Sequence, residues 1–250
     1  QNRRGLFAGM QSGRLSGFVP YKGTKDLPNA GRISRFIRNF VDMKVALCQF
    51  SMEWEAAARN LRRAEELVAQ AGADLALLPE MFATGFVTEP WRTALPDEEE
   101  LLAWMRRTAR RYATALAGSA VVRSGDRFAN RFFFVRPAGG AERYDKRHLF
   151  SIGGEDAHFV AGARVVEYGG LRFLPLVCYD LRFPVWCRCR SDYDAILCVA
   201  SWPAPRREVW RTLLRARAIE NQCYVVGVNR TGDDPWNHYA GDSAVVDFKG

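Results

Sequence analysis

The chain has 250 residues, 48% of them hydrophobic, which is enough for one large domain or two small ones with a sizeable core. Its formal net charge of +8 is concentrated in residues 1–42, which carry eight basic and two acidic side chains. The other 208 residues carry 28 basic and 26 acidic side chains, so the charge of the body does not indicate a nucleic-acid partner.

The cysteines indicate a reducing compartment. Four of the six lie in apolar runs: Cys48, Cys178, Cys198 and Cys223. The chain does not start with the apolar stretch of a secretory signal. We therefore expect free thiols, a cytoplasmic location and no membrane partner. Cys187 and Cys189 stand close in sequence, but no second Cys/His pair lies at ligand spacing, so we predict no metal site.

Residues 1–42 differ from the rest of the chain. Residues 1–32 are rich in Gly, Ser, Asn and Arg and show no steady period, which predicts disorder. Residues 33–40 have apolar side chains at helical spacing with arginines between them, which predicts a short basic helix. A transit-like segment and an extension ahead of a natural start at Met43 both fit, and we favour the extension. The domain itself is then residues 43–250.

From Lys44 onward, strand and helix patterns alternate, which indicates an α/β layered domain. The predicted strands are 44–50, 74–78, 115–123, 128–136, 142–146, two within 165–177, 195–200, 224–229 and 241–248. The predicted helices are 53–71, 97–112, 185–189 and 208–221. In the last helix we expect Val209, Leu213, Ala216 and either Ile219 or Ala218 to face the core. We expect a polar loop between residues 229 and 241.

Three of these strands end at residues with reactive side chains. Glu80 follows the strand that ends near Leu78, Lys146 follows the strand at 142–146, and Cys178 follows a strongly apolar strand. A cysteine at a strand-to-helix corner suits a nucleophile, although a free cysteine is equally typical of a core. Taken singly, Glu80 is also typical of a surface carboxylate and Lys146 of a solvated loop.

The short sequence motifs around these residues favour the catalytic interpretation over the structural one. They are LPEMF at 78–82, YDKRHLF at 144–150, CYDLRFPVW at 178–186, SWPAPR at 201–206 and RAIEN at 217–221. In this order they resemble the carbon–nitrogen hydrolase (nitrilase) superfamily, and most closely its bacterial ω-amidase branch. The resemblance covers the chain from about Met43 to Gly250.

The resemblance implies a four-layer α-β-β-α sandwich, in which two sheets face each other and helices lie outside. Members of the superfamily usually continue beyond the strand at 241–248 with a C-terminal segment that packs across a dimer. Either the sequence is a fragment or this member lacks that segment. We therefore expect a domain without the usual C-terminal segment, and a homodimer if that segment is not essential.

The resemblance also implies a Glu-Lys-Cys triad. Cys178 is the expected nucleophile, Glu80 the general base and Lys146 the cation that favours the thiolate. Glu155 is expected to position the lysine. The backbone N–H of Tyr179 is the expected second oxyanion donor.

For the substrate, the resemblance suggests that Phe86, Phe150 and Trp202 line the pocket. A distal carboxylate requires a cation, for which Arg182, Arg206 and Arg207 are available. His148 is expected to be structural.

These implications predict an amidohydrolase without a cofactor. It would cleave the terminal amide of small 2-oxo acid monoamides, such as 2-oxoglutaramate or 2-oxosuccinamate, through a cysteine thioester, releasing ammonia and the 2-oxo dicarboxylate. The alternatives are an N-carbamoyl amino-acid hydrolase, an aliphatic amidase, a nitrilase, or a catalytically silent interaction protein.

Overall fold

The computed structural model describes residues 10–13, 43–92, 97–151, 154–159 and 166–250. The basic helix predicted at residues 33–40 lies outside these ranges, as does most of the leader. Met10–Gly13 (β1) forms an antiparallel strand against Val45–Cys48 (β2), where we expected no regular structure. None of the helices within these ranges has the length and apolar content needed to cross a membrane.

The first sheet has six strands in the order of the sequence. Its remaining members are Leu75–Leu77 (β3), Ala115–Ser124 (β4), Arg127–Val135 (β5) and Ala141–Asp145 (β6). Strands β2, β3 and β4 are parallel, whereas β4, β5 and β6 form an antiparallel meander. The hairpin of β4 and β5 agrees with the sequence prediction.

The second sheet carries the strands that follow in the chain. They are Val166–Tyr168 (β7), Leu171–Val177 (β8), Ala195–Ala200 (β9), Tyr224–Asn229 (β10) and Ala244–Val246 (β13). The order is β13-β10-β9-β8-β7, with a parallel centre of β8, β9 and β10. Between β10 and β13, the segment predicted as a polar loop contains a two-stranded hairpin, Thr231–Asp233 (β11) and His238–Ala240 (β12).

The described helices are Ala57–Ala71 (α1), Glu98–Tyr112 (α2), Pro184–Cys187 (α3) and Arg207–Asn221 (α4). Helix α2 begins where predicted because Asp97 caps it, accepting a hydrogen bond from the N–H of Glu99 at 2.8 Å. Helix α1 begins four residues later than predicted. The Asn60 side chain accepts from the N–H of Glu53 and donates to its carbonyl, which holds that segment in a turn.

Alternation along the strands separates the layers. In β9, Ala195, Leu197 and Val199 pack between the two sheets. The intervening side chains pack against α4, whereas α1 and α2 cover the far face of the first sheet. This period of two places one apolar face of each sheet against the other sheet and one against helices. The predicted α-β-β-α sandwich is confirmed.

The predicted face of α4 was wrong in part. The helix buries Trp210, Leu214, Arg217 and Ala218, of which only Ala218 was predicted, while Val209 and Leu213 lie at the edge of the core. Arg217 is only 4% exposed because its Nε donates to the Leu181 carbonyl at 3.0 Å. A hydropathy pattern that assumes Arg217 to be exposed therefore predicts the wrong face of α4 to be buried.

Candidate active site

A tight approach of two backbone segments positions Glu80. After β3, the chain crosses β4, and the N–H of Phe82 donates to the carbonyl of Ser119 at 3.1 Å. A Cβ atom on Gly118 would lie 2.9 Å from the Phe82 ring, so this crossing requires glycine. The Glu80 side chain is thereby turned into the protein and is 0% exposed.

Lys146 joins Glu80 to a second carboxylate. It directly follows β6, and its Nζ lies 2.9 Å from Glu80 Oε1 and 2.8 Å from Glu155 Oε2. All three side chains are 0% exposed. The N–H of Phe150 also donates to Glu155 Oε2, at 2.7 Å. The two carboxylates and the ammonium thus form a buried charge cluster, Glu80–Lys146–Glu155, in which each carboxylate contacts the same cation.

Cys178 stands at a strained corner at the end of β8. Its φ of 47° lies in the left-handed region, which costs free energy for any residue other than glycine. Asp180 pins the turn that follows, since its carboxylate accepts from the N–H of Val177 at 3.0 Å and from the Tyr144 hydroxyl at 2.9 Å. His148 contacts the same carboxylate through both its N–H and Nδ1 at 2.8 Å, which is a structural arrangement.

Two further groups that we did not predict contact the carboxylates of the buried charge cluster. Asn130 donates from Nδ2 to Glu80 Oε1 at 2.8 Å and to Glu155 Oε1 at 3.0 Å. The backbone N–H of Ser201 donates to Glu80 Oε2 at 2.8 Å. A sequence signal existed for Asn130, because it interrupts an alternating row of phenylalanines in β5. A backbone donor such as that of Ser201 leaves no trace in the residue type.

Burial and charge set the protonation of the nucleophile. Burial and then the Glu80 carboxylate raise the pKa of Cys178 well above its ordinary value, and Lys146 opposes them only in part. The sulfur is therefore a thiol until its proton is taken. Burial would lower the pKa of Lys146, but the carboxylates of Glu155 and Glu80 outweigh it and raise that pKa, so the ammonium stays charged.

A cavity of about 310 Å³ opens onto Cys178 and Lys146. The three side chains that we expected at the substrate, Phe86, Phe150 and Trp202, line it, and so does Tyr179, which we expected there for its backbone N–H. Glu80 and Glu155 do not line it, but each contacts residues that do, namely Lys146 with Ser201 for Glu80 and Lys146 with Phe150 for Glu155. The β11–β12 hairpin supplies a wall that we did not predict, made of Asp234, Trp236, Asn237 and Tyr239.

The cavity also contains two guanidinium groups. Arg182 lies 5.1 Å from the centre of the Trp202 ring, and Arg206 lies 5.6 Å from that of Phe150. Neither has an acidic partner among the described residues. Arg207 does not line the cavity and is paired with Asp242 by two hydrogen bonds.

A search of the described part of the chain finds no cluster of three or more His, Cys, Asp or Glu side chains able to hold a metal ion.

Comparison with known proteins gives a consistent result. A family model described as carbon-nitrogen hydrolase matches residues 44–250. Omega-amidase YafV of Yersinia enterocolitica is 48% identical over 212 residues, which is 83% of this chain and 82% of that protein. The 2-oxoglutaramate amidase of Bacillus subtilis (strain 168) is 33% identical over 81% of this chain and 82% of its own length. A solved CN-hydrolase superfamily protein from Xanthomonas campestris, with an arsenic adduct in its active site, has a TM-score of 0.79 at 43% identity, covering 83% of each chain.

Proposed function

The chain belongs to the carbon–nitrogen hydrolase family, and on that basis we propose that it removes the terminal amide of small 2-oxo acid monoamides. Its substrates are then compounds such as 2-oxoglutaramate and 2-oxosuccinamate, and its products are ammonia and the 2-oxo dicarboxylate. The observation that carries this choice is the pair of guanidinium groups, Arg182 and Arg206, in the cavity beside Cys178. A cavity with two cations favours an amide whose other end is anionic. The names of the two relatives support the same substrate class.

In the proposed acylation, Glu80 takes the proton of the Cys178 thiol, and the sulfur attacks the amide carbon. Lys146 uses two of its three N–H groups on Glu80 and Glu155, which leaves one for the carbonyl oxygen that becomes negative. The N–H of Tyr179 is the second donor to this oxyanion. Glu80 then passes its proton to the amide nitrogen, the C–N bond breaks and ammonia leaves.

In the proposed deacylation, water attacks the thioester that Cys178 now carries. Glu80 removes a proton from the water and returns it to the sulfur as the C–S bond breaks. The 2-oxo dicarboxylate leaves, and the enzyme returns to its starting state. The steps use side chains, backbone donors and water. Glu155 acts through Lys146, which it holds by a contact of 2.8 Å.

The proposed function is tested by measuring ammonia release from a panel of substrates with the full chain. The panel contains 2-oxosuccinamate, an N-carbamoyl amino acid, an aliphatic amide and a nitrile, and the Cys178→Ala variant is the blank. Preference for the 2-oxo acid monoamide supports the proposal, whereas preference for another compound assigns one of the alternatives. Hydrolysis that persists in Cys178→Ala contradicts the mechanism.

Intact-mass measurement with 2-oxosuccinamate separates the enzyme from a catalytically silent interaction protein. We expect a transient adduct of the acyl group on the wild-type chain and none on Cys178→Ala. A wild-type chain that neither turns over any member of the panel nor forms an adduct is a silent protein.

Replacing Arg182 with methionine is expected to raise KM for 2-oxosuccinamate roughly 10- to 100-fold. A hydrogen bond between two charged groups contributes about 1.5–3 kcal/mol, and the methionine keeps the volume but loses the charge. KM for a neutral aliphatic amide is expected to change little. Arg207→Met is the matched control, because Arg207 lies outside the cavity.

If Arg182→Met leaves KM for the 2-oxo acid unchanged and Arg206→Met raises it, Arg206 is the carboxylate ligand. If neither variant changes it, the cavity does not recognise an anion through these groups, and the proposed substrate class is wrong.

The working form of the protein is also part of the proposal. We propose a domain boundary near Met43, supported by a family match that begins at residue 44. We propose a cytoplasmic location, supported by six cysteines that are all free thiols. A homodimer without nucleic-acid or membrane partners completes this proposal, and light scattering on the purified chain measures the oligomeric state.

A further inference from the structure

We infer that Asn130 is a positioning residue that directs the proton of Cys178 to one oxygen of Glu80, Oε2. This inference rests on the proposed function, in which Glu80 is the base. Asn130 lies in β5, does not line the cavity and is 0% exposed, so it cannot contact a substrate. Its effect must pass through the carboxylates that it binds.

The hydrogen bonds of Glu80 distinguish its two oxygens. Oε1 accepts from Asn130 Nδ2 at 2.8 Å and from Lys146 Nζ at 2.9 Å. Oε2 accepts from the backbone N–H of Ser201 at 2.8 Å and from no other donor in the described residues. Each carboxylate oxygen accepts about two hydrogen bonds. Oε1 is therefore saturated, and the remaining acceptor position is on Oε2.

The same oxygen and the nucleophile have a neighbour in common. Ser201, whose N–H binds Oε2, accepts from Cys178 Sγ with its carbonyl at 3.9 Å, a weak sulfur contact. In the transfer the S–H bond breaks and an O–H bond forms at Oε2, leaving a thiolate and a neutral carboxyl. No further reactant is required.

The orientation of the Asn130 amide is determined by its surroundings. Nδ2 donates one hydrogen to Glu80 Oε1 and the other to Glu155 Oε1. Rotating the amide by 180° would place its oxygen against two carboxylate oxygens, which repel it. Asn130 Oδ1 has no hydrogen-bond partner in the described structure, although it is buried. An unpaired buried oxygen destabilises the fold. The two hydrogen bonds that Nδ2 donates therefore explain an asparagine at this position better than a contribution to stability does.

Asn130 also fixes where the cation lies. The backbone carbonyl of Asn130 accepts from the backbone N–H of Lys146 at 2.9 Å. One residue therefore binds both carboxylates, Glu80 and Glu155, and the backbone of Lys146. Loss of the amide leaves Glu80 Oε1 with an open acceptor position. The proton can then be bound at Oε1 instead of Oε2.

The experiment compares kcat and KM for 2-oxosuccinamate between pH 5 and 9 in the full wild-type chain, Asn130→Leu and Asn130→Ser. In Asn130→Leu we expect kcat to fall roughly 10- to 100-fold and KM to stay within about threefold. This split, a lower kcat at a nearly constant KM, is expected at each pH. Asn130→Ser retains one donor, so we expect a smaller fall in kcat.

Thr114→Val is the matched control, because it removes a buried hydroxyl that donates to Ala73 and Tyr112 far from the site. It is expected to lower the melting temperature without changing kcat or KM. If Asn130→Leu does not fold, Asn130→Ser decides the question. A kcat that matches the wild type in the folded Asn130 variants overturns the inference. A wild-type chain without amidase activity overturns the proposed function instead.

Discussion

Replacing Lys146 with methionine is expected to abolish amide hydrolysis and to lower the free energy of unfolding by about 3–5 kcal/mol. Lys146 is 0% exposed and is the cation that Glu80 and Glu155 share. Its removal leaves two carboxylates bridged by Asn130 with no positive charge between them. The oxyanion of the proposed mechanism loses its charged donor at the same time.

Three measurements check this expectation: ammonia release, thermal unfolding, and the rate at which iodoacetamide alkylates Cys178. Lys146 lowers the pKa of Cys178, so its loss raises that pKa and reduces the thiolate fraction at pH 8. Alkylation is therefore expected to slow down. Lys44→Met, at an exposed position, should match the wild type in all three. An unchanged melting temperature in Lys146→Met would show that the buried charge cluster does not contribute to the stability of the fold.

Replacing Glu80 with glutamine is expected to lower kcat for 2-oxosuccinamate roughly 10²- to 10⁴-fold while the protein stays folded. Glutamine has the shape of glutamate and keeps an oxygen for the Asn130 and Lys146 donors, but it cannot take a proton from sulfur or from water. The buried charge is affected less than in Lys146→Met, because Lys146 keeps Glu155 as a partner at 2.8 Å.

Steady-state kinetics and circular dichroism on the Glu80→Gln variant measure this effect. Glu100→Gln, on the exposed surface of α2, is the control and should match the wild type. A kcat within tenfold of the wild type would assign the base to a different group. Loss of folding in Glu80→Gln would contradict the expectation that Glu155 alone is a sufficient partner for the buried Lys146 ammonium.

Most of the architecture could be predicted because it depends on local patterns. Continuous apolar runs identify β9 and β10, and Asp97 identifies the start of α2. The misplaced face of α4 and the missed β11–β12 hairpin have one cause. Arg217 is buried through a bond to Leu181, and the hairpin contains polar side chains, so hydropathy does not describe either segment.

The candidate site could be predicted in part. Glu80, Lys146 and Cys178 were identifiable because each follows the end of a strand and lies within a characteristic sequence motif. Their catalytic roles remain proposals. Asn130 was missed because its importance depends on two carboxylates that are 50 and 25 residues away in the chain. Arg207 was a candidate for the substrate carboxylate until its pairing with Asp242 became visible.

The sequence alone determined the layered α/β class, the positions of most strands along the chain and the family, since these follow from periodicity and short motifs. The tertiary structure decided which groups meet. The Glu80–Lys146 contact spans 66 residues and joins the ends of two strands of the first sheet. The Ser201–Glu80 bond spans 121 residues and forms because the second sheet packs against the first. Such contacts depend on distances through space and on backbone donors, and neither is encoded in the order of nearby residue types.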